Sequence, residues 1–320
     1  MNNTYAALFP GQGSQSIGMM AELYAASEIV RETISEATPF LGFDLWKLMQ
    51  EGPENKLNNT LFTQPAMLVA GVAAWRFFGS KSSILPTIMA GHSLGEYTAL
   101  VCSGALNFND AIDLVNCRAQ YMHNALTNRS GAMAAIIGLK DEDIIEACEE
   151  VIGLGVVEAV NFNAPGQVVI AGDITAVERA IDIAKKKGAR RAMLLNVSIP
   201  SHCELMKPAS VQLNQKLKSV NFNQFNIPVI NNVDVDLYSD SNSIVDGLTR
   251  QVFRPVRWAD TIRYFVSKDI RVSVEFGPGG ILSGLCRRID KSIHIIKLDS
   301  VASIDKFNEL VLKNPSSLEE

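Results

Sequence analysis

Residues 86–102 read PTIMAGHSLGEYTALVC. The apolar run at 86–90 predicts a buried strand, and 94–102 predicts a helix. Between them, Gly91, Ser93 and Gly95 form a G-x-S-x-G sequence. Strand, G-x-S-x-G, helix is the layout of a nucleophile elbow. The turn is so tight that side chains at the two glycine positions would collide. A serine hydroxyl is a weak nucleophile at neutral pH, so it needs a base and usually a group that orients the base. Neither is obvious nearby in the sequence.

Working outward, the chain alternates strands and helices, which argues for a mainly parallel α/β sheet. YAALF at 5–9 predicts a strand running into a glycine loop, PGQGSQ at 10–15, and then a helix. Thr63 is the expected cap of a helix that tolerates Pro65 in its first turn and runs to about Phe78. Asn107 or Asn109 caps another helix that lasts to about Leu126. Later come a strand at 227–233, helices from about Ser243 and Ala259, a strand at 272–276 followed by Gly-Pro-Gly-Gly and a helix, and a last strand at 294–298. The stretch 132–197 breaks the pattern. It reads strand (132–139), helix (141–151), strand (156–162), turn, strand (167–171), helix (175–187), strand (191–197), the order of a ferredoxin-like unit. The expected organisation is a larger α/β catalytic domain from residues 1–128 and 198–320, with an inserted ferredoxin-like subdomain at 129–197. The end, 314–320, is expected to fray.

The chain of 320 residues is 47% hydrophobic and 20% charged, with a net charge of −5. That balance describes a globular protein and disfavours nucleic-acid binding. No apolar run is expected to reach the roughly 20 residues of a membrane span, and the first residues do not resemble a secretory signal. Five scattered cysteines without a C-x-x-C predict a reduced, cytoplasmic setting. Four histidines make a histidine-rich metal site an unpromising reading.

Among the histidines, His202 is the best base by elimination. His92 is locked in the elbow, His123 sits on a predicted helix and His294 begins a strand. His202 follows the last strand of the insert, where the chain returns to the main body, and such crossings favour functional loops. No Asp or Glu stands in the order of an α/β-hydrolase triad, so a backbone carbonyl is a candidate to orient the ring. Arg118 falls in the middle of an apolar stripe formed by Ala111, Val115 and Met122. An ionised arginine there is costly unless paired. It pairs with a structural group such as a buried Asp, reaches round to solvent, or meets a carboxylate that arrives with the substrate. The PGQGSQ loop fits one wall of an oxyanion hole better than a phosphate loop. The basic run Lys185, Lys186, Lys187, Arg190 and Arg191 reads as a solvated helix end or as a contact for an anionic partner. Cys203 reads as an inert thiol.

Taken together, GQGSQ (11–15), TQPA (63–66), GHSLGEY (91–97), Arg118, NFNAPGQVVIAG (161–172), SIPSHCELM (198–206), RQVFRPVRW (250–258) and FGPGGIL (276–282) closely resemble the malonyl-CoA:acyl carrier protein transacylases of bacterial type II fatty acid synthesis. The match spans about 5–310. Gly280 stands where a lysine is usual and Cys117 where a glycine is common. The resemblance implies that Ser93 is the nucleophile and His202 its base, oriented by the main-chain carbonyl of Gln251. It implies an oxyanion hole from the backbone N–H groups of Gln12 and Leu94, and a malonyl carboxylate held by Arg118, with Gln64 and Asn161 also binding substrate. Arg190 and Arg191 become candidate contacts for carrier protein or CoA. The implied partners are malonyl-CoA and acyl carrier protein, with no metal or cofactor, no nucleic acid, no membrane and a monomeric enzyme. Two rivals remain at this point: a serine thioesterase or lipase, and a non-catalytic protein that docks acidic carrier.

Overall fold

The structure is a computed structural model and describes residues 4–126, 130–197 and 199–312. Among the described residues, nine strands form two sheets. They are β1 (Ala6–Phe9), β2 (Ile88–Gly91), β3 (Gly131–Ile137), β4 (Val157–Ala164), β5 (Gln167–Asp173), β6 (Arg191–Leu194), β7 (Val229–Ile230), β8 (Val272–Phe276) and β9 (His294–Leu298). The larger sheet has the order β7-β2-β1-β8-β9 and is parallel throughout. The strands β1, β2 and β8 are buried along their whole length, as expected where helices cover both faces. One face packs under the helix Thr60–Gly79 and its neighbours; the other packs under Trp258, Ile262, Phe265 and Leu285. The chain starts at the central strand and builds outward in both directions. The loops after β1 and β2 therefore lie side by side at the carboxyl ends of the strands, where α/β sheets bind ligands.

The smaller sheet is antiparallel, in the order β4-β5-β3-β6. The element order strand–helix–strand–strand–helix–strand gives the ferredoxin-like arrangement, so the fold is a hydrolase-like α/β body with a smaller α+β unit. Strand alternation divides its residues. Ala134, Ile136, Val168 and Ile170 face the helices Asp141–Glu149 and Ile174–Lys186, while Met133, Val160, Val169 and Ala171 join the core of the main body. The junctions expected at 128/129 and at 197/198, and the terminal stretch 314–320, fall on residues outside those described.

Three local readings are corrected. The helix expected from Thr63 begins at Thr60, capped by the Asn59 side chain on the Leu61 N–H at 3.0 Å. Thr63 lies inside it and donates instead to the Leu57 carbonyl at 2.5 Å. The strand expected at 227–233 is only Val229–Ile230, because Asn231 turns its side chain back onto the Val233 and Asp234 N–H groups and Asn232 serves side-chain bonds described below. Third, Thr60–Gly79 is long and apolar enough to cross a membrane by length and composition, with mean hydropathy 1.2, contrary to the expectation that no run would be. It is enclosed by protein, with 78% of that window buried, and it forms the central core helix.

Candidate active site

The elbow forms because the chain has no room for anything larger. A Cβ on Gly91 would lie 1.9 Å from the Gly95 carbonyl, and one on Gly95 would lie 2.0 Å from the Phe9 carbonyl. Ser93 sits at the apex with φ 53°, in the left-handed region that non-glycine residues seldom occupy. Asn232 fastens the turn. Its Oδ1 accepts from the Ser93 N–H at 2.7 Å and its Nδ2 donates to the Gly91 carbonyl at 2.7 Å. The helix Gly95–Cys102 then begins directly behind the serine.

His202 also has a positive φ, 68°, and its N–H is held by the Val252 carbonyl at 3.0 Å. That backbone aims the ring at the elbow. Ser93 Oγ and His202 Nε2 are 2.7 Å apart. On the far side, His202 Nδ1 is 2.6 Å from the main-chain carbonyl of Gln251. A carbonyl only accepts, so Nδ1 carries the proton and Nε2 is left free to accept from the serine. No carboxylate takes part. Burial, followed by the field of Arg118, pushes the imidazole pKa down to about 3, which keeps the ring neutral. Cys203 is fully buried, its thiol is pushed up to about 12 by burial, and it points at the Pro200 carbonyl. It is not a thiolate.

Arg118, on the helix Phe108–Asn124, is 2% exposed. No carboxylate pairs with it among the described residues. Its Nη1 donates to Gln64 Oε1 at 2.5 Å, and its Nη2 donates to Gln251 Oε1 at 3.0 Å and to Ser93 Oγ at 3.3 Å. The guanidinium lies 5.3 Å from the centre of the Tyr97 ring, and its Nε–H finds no acceptor. A cation is thus brought to the nucleophile and braced by neutral amides.

The remaining expected residues separate into two groups. Gln12, Leu94 and Asn161 line the same cavity of about 110 Å³ as Ser93, His202 and Arg118. The glycine loop is pressed against the elbow, since a Cβ on Gly11 would sit 2.3 Å from the His92 carbonyl. Asn161 Oδ1 is buried without a partner. Gln64, by contrast, is fully buried and reaches the cavity only through Arg118. Arg190 and Arg191 are exposed. Arg191 begins β6, whose far end leads to Leu195 at the cavity, about 13 Å away along an extended chain. Lys187, from the same basic run, is engaged by Glu146 and Glu150 at 2.7 and 3.0 Å.

Sequence reasoning missed Glu96, Asn232 and Tyr238. Glu96 is fully buried behind the elbow and takes bonds from Tyr238 Oη, from the Asn232 N–H at 3.0 Å and from Gln251 Nε2 at 2.9 Å. Burial pushes its carboxyl up to about 7. An acid in the first turn of the helix behind a nucleophilic serine was the available signal.

This fold, with a serine on a strained turn and a histidine bonded to it, defines the class of α/β enzymes that work on acyl groups. The acyl transferase domain family matches residues 7–301. Two relatives are called malonyl CoA-acyl carrier protein transacylase. That of Salmonella typhimurium is 48% identical over 300 residues, covering 94% of this chain and 97% of its own. That of Escherichia coli K12 is 50% identical over 285 residues, covering 89% and 92%. A solved malonyl-transacylase, in complex with the acyl-carrier protein of a type II polyketide synthase, matches with TM-score 0.93 and 46% identity, covering 97% of this chain and 100% of its own. The chain belongs to the acyl transferase family, in the group of malonyl CoA-acyl carrier protein transacylases, and it is an acyltransferase.

Proposed function

We propose that the protein moves a malonyl group from malonyl-CoA to the phosphopantetheine thiol of acyl carrier protein, through a malonyl ester on Ser93, for fatty acid chain elongation. The observation that carries this reading is Arg118: a buried cation with no carboxylate partner among the described residues, 3.3 Å from Ser93 Oγ. A substrate carboxylate completes its coordination. The names of the relatives support the same substrate and acceptor.

His202 Nε2 takes the Ser93 proton as Oγ attacks the thioester carbonyl. The N–H groups of Gln12 and Leu94 stabilise the oxyanion. The carbon–sulfur bond breaks and His202 returns the proton to the CoA sulfur. The carrier thiol then gives its proton to His202, attacks the ester and releases Ser93, which regains its proton. One thioester is exchanged for another, so the chemistry calls for no metal, cofactor or ATP. Asn161, with its unpartnered Oδ1, contacts the bound acyl group, while Gln64 acts by bracing Arg118. A cavity of about 110 Å³ has room for about four water-sized groups, which suits a short acyl chain. Fixing the carboxylate holds the ester carbonyl away from water, whose attack is strongly downhill. The enzyme acts in the cytoplasm as a monomer.

Intact-mass measurement after mixing with malonyl-CoA tests this reading. A single malonyl adduct is expected, stable without thiol and discharged by holo carrier protein. Free malonate at steady turnover without thiol would show a hydrolase, and no adduct would show a docking protein.

A further inference from the structure

The bonds behind the elbow form a chain with a direction. Gln251 Nε2 donates both to Glu96 Oε2 at 2.9 Å and to the Ser93 carbonyl at 2.8 Å. An amide presents donors on one side and an acceptor on the other, so these two bonds turn Oε1 toward Arg118 Nη2, 3.0 Å away. If the amide were reversed, its NH₂ would face the guanidinium donor to donor. The opposite brace has the same logic. Gln64 Nε2 is held by Thr60 Oγ1 at 2.8 Å, which turns Gln64 Oε1 toward Arg118 Nη1.

We propose that Glu96 is a positioning residue for substrate selection: by fixing the side-chain amide of Gln251, it aims Arg118 at the acyl group while staying out of contact with it. This rests on the malonyl reading above. Glu96 is the acid closest to the cation in this bond network, and Gln251 stands between the two. A carboxylate bonded directly to Arg118 would occupy the donors that the substrate needs. Placed one residue back, Glu96 still favours the ionised guanidinium, whose pKa burial otherwise lowers, and leaves its outer face open. Gln251 therefore has two separate duties. Its main-chain carbonyl sets the His202 tautomer, and its side chain sets the aim of Arg118.

Four variants test this, each scored by the malonyl-over-acetyl ratio of kcat/KM for acylation of the full chain. Glu96→Met removes the acceptor at similar size and should lower the ratio about fivefold or more, within the worth of one hydrogen bond to a charged group. Gln251→Met, which keeps the main-chain carbonyl, should lower it by a similar factor. Adding Glu96→Met to it should cost little further, because both act through one contact. Glu96→Gln keeps an oxygen facing Gln251 and should stay within about twofold of the parent. If Glu96→Met does not fold, Gln251→Met against Glu96→Gln still decides. Equal losses of malonyl and acetyl transfer in either Met variant, or an undiminished ratio in Gln251→Met, would overturn the proposal. So would a Glu96→Gln variant as impaired as Gln251→Met. A parent enzyme without malonyl preference would instead overturn the function on which the proposal rests.

Discussion

Glu275 and Arg118 are both buried at the carboxyl ends of the parallel sheet, and they are treated in opposite ways. Glu275, on β8, is fully buried and receives the Ser283 N–H at 2.8 Å, the Ser283 hydroxyl at 2.6 Å and the Leu282 N–H at 3.2 Å. It closes off the start of the helix Ile281–Ile289, where a negative group is favourable. Arg118 is equally buried, yet it has only amides and a hydroxyl as partners and keeps an N–H unpaired. A structural charge is satisfied by the fold itself. On the proposed function, the incompletely paired one is where the substrate carboxylate binds, because desolvating an unpaired cation is otherwise expensive.

Removing the chemistry that the open charge serves gives the largest effect. Ser93→Ala should abolish the malonyl adduct in intact-mass spectra, and His202→Ala should slow both half-reactions by roughly 10²–10⁴-fold. An adduct that persists on Ser93→Ala, or near-parental acylation of His202→Ala, would break the assignment. The closed charge should behave differently. Glu275→Ala strands the donors at a helix start and should cost about 1–3 kcal/mol of stability in denaturant melts, with the malonyl-over-acetyl ratio unchanged. A changed ratio would erase the contrast between the two sites.

A smaller effect concerns pH. Only the neutral imidazole accepts the serine proton, and an ordinary histidine loses this capacity near its usual 6.5. His202 is lowered to about 3, so it stays neutral as pH falls through 6.5. Acetyl acylation by Glu96→Gln, which removes the carboxyl raised to about 7, should therefore show no histidine-type midpoint between about pH 8 and about pH 5; a midpoint near 6.5 in that variant would show the ring to be solvated in the working enzyme. The smallest effect is expected at Arg190 and Arg191. They are exposed and on a strand end remote from the cavity, so their neutralisation should raise KM for carrier protein at low salt more than it lowers kcat. Unchanged kinetics would return them to the role of solvated surface charges.

Much of this was legible in residue order. The strands 272–276 and 294–298 coincide with β8 and β9, because β-branched residues lying between turn-forming ones leave little choice. The ferredoxin-like order was readable for the same reason. The elbow announced itself through two glycines that sterics require. Helix starts were harder: Asn59, Thr60 and Thr63 all carry capping side chains, and only packing selects among them. The helices Lys207–Leu217 and Ala302–Leu312 were not foreseen. The contacts of Glu96, Asn232 and Tyr238 were illegible, since Glu96 meets its partners from residues more than 130 positions away, a relation set by topology and not by pattern.

The central claim is that the unsatisfied cation selects the substrate, and Arg118→Ala tests it most directly. Acylation by malonyl-CoA and by acetyl-CoA should be measured on the same preparation, with kcat/KM for each. Deleting the guanidinium removes both the attraction for a carboxylate and the penalty for burying the cation beside a methyl group. The malonyl-over-acetyl ratio should fall by at least about tenfold, the equivalent of about 1.4 kcal/mol, while acetyl transfer holds or rises. A variant that loses malonyl and acetyl transfer in equal proportion would make Arg118 a structural charge like Glu275 and contradict the account.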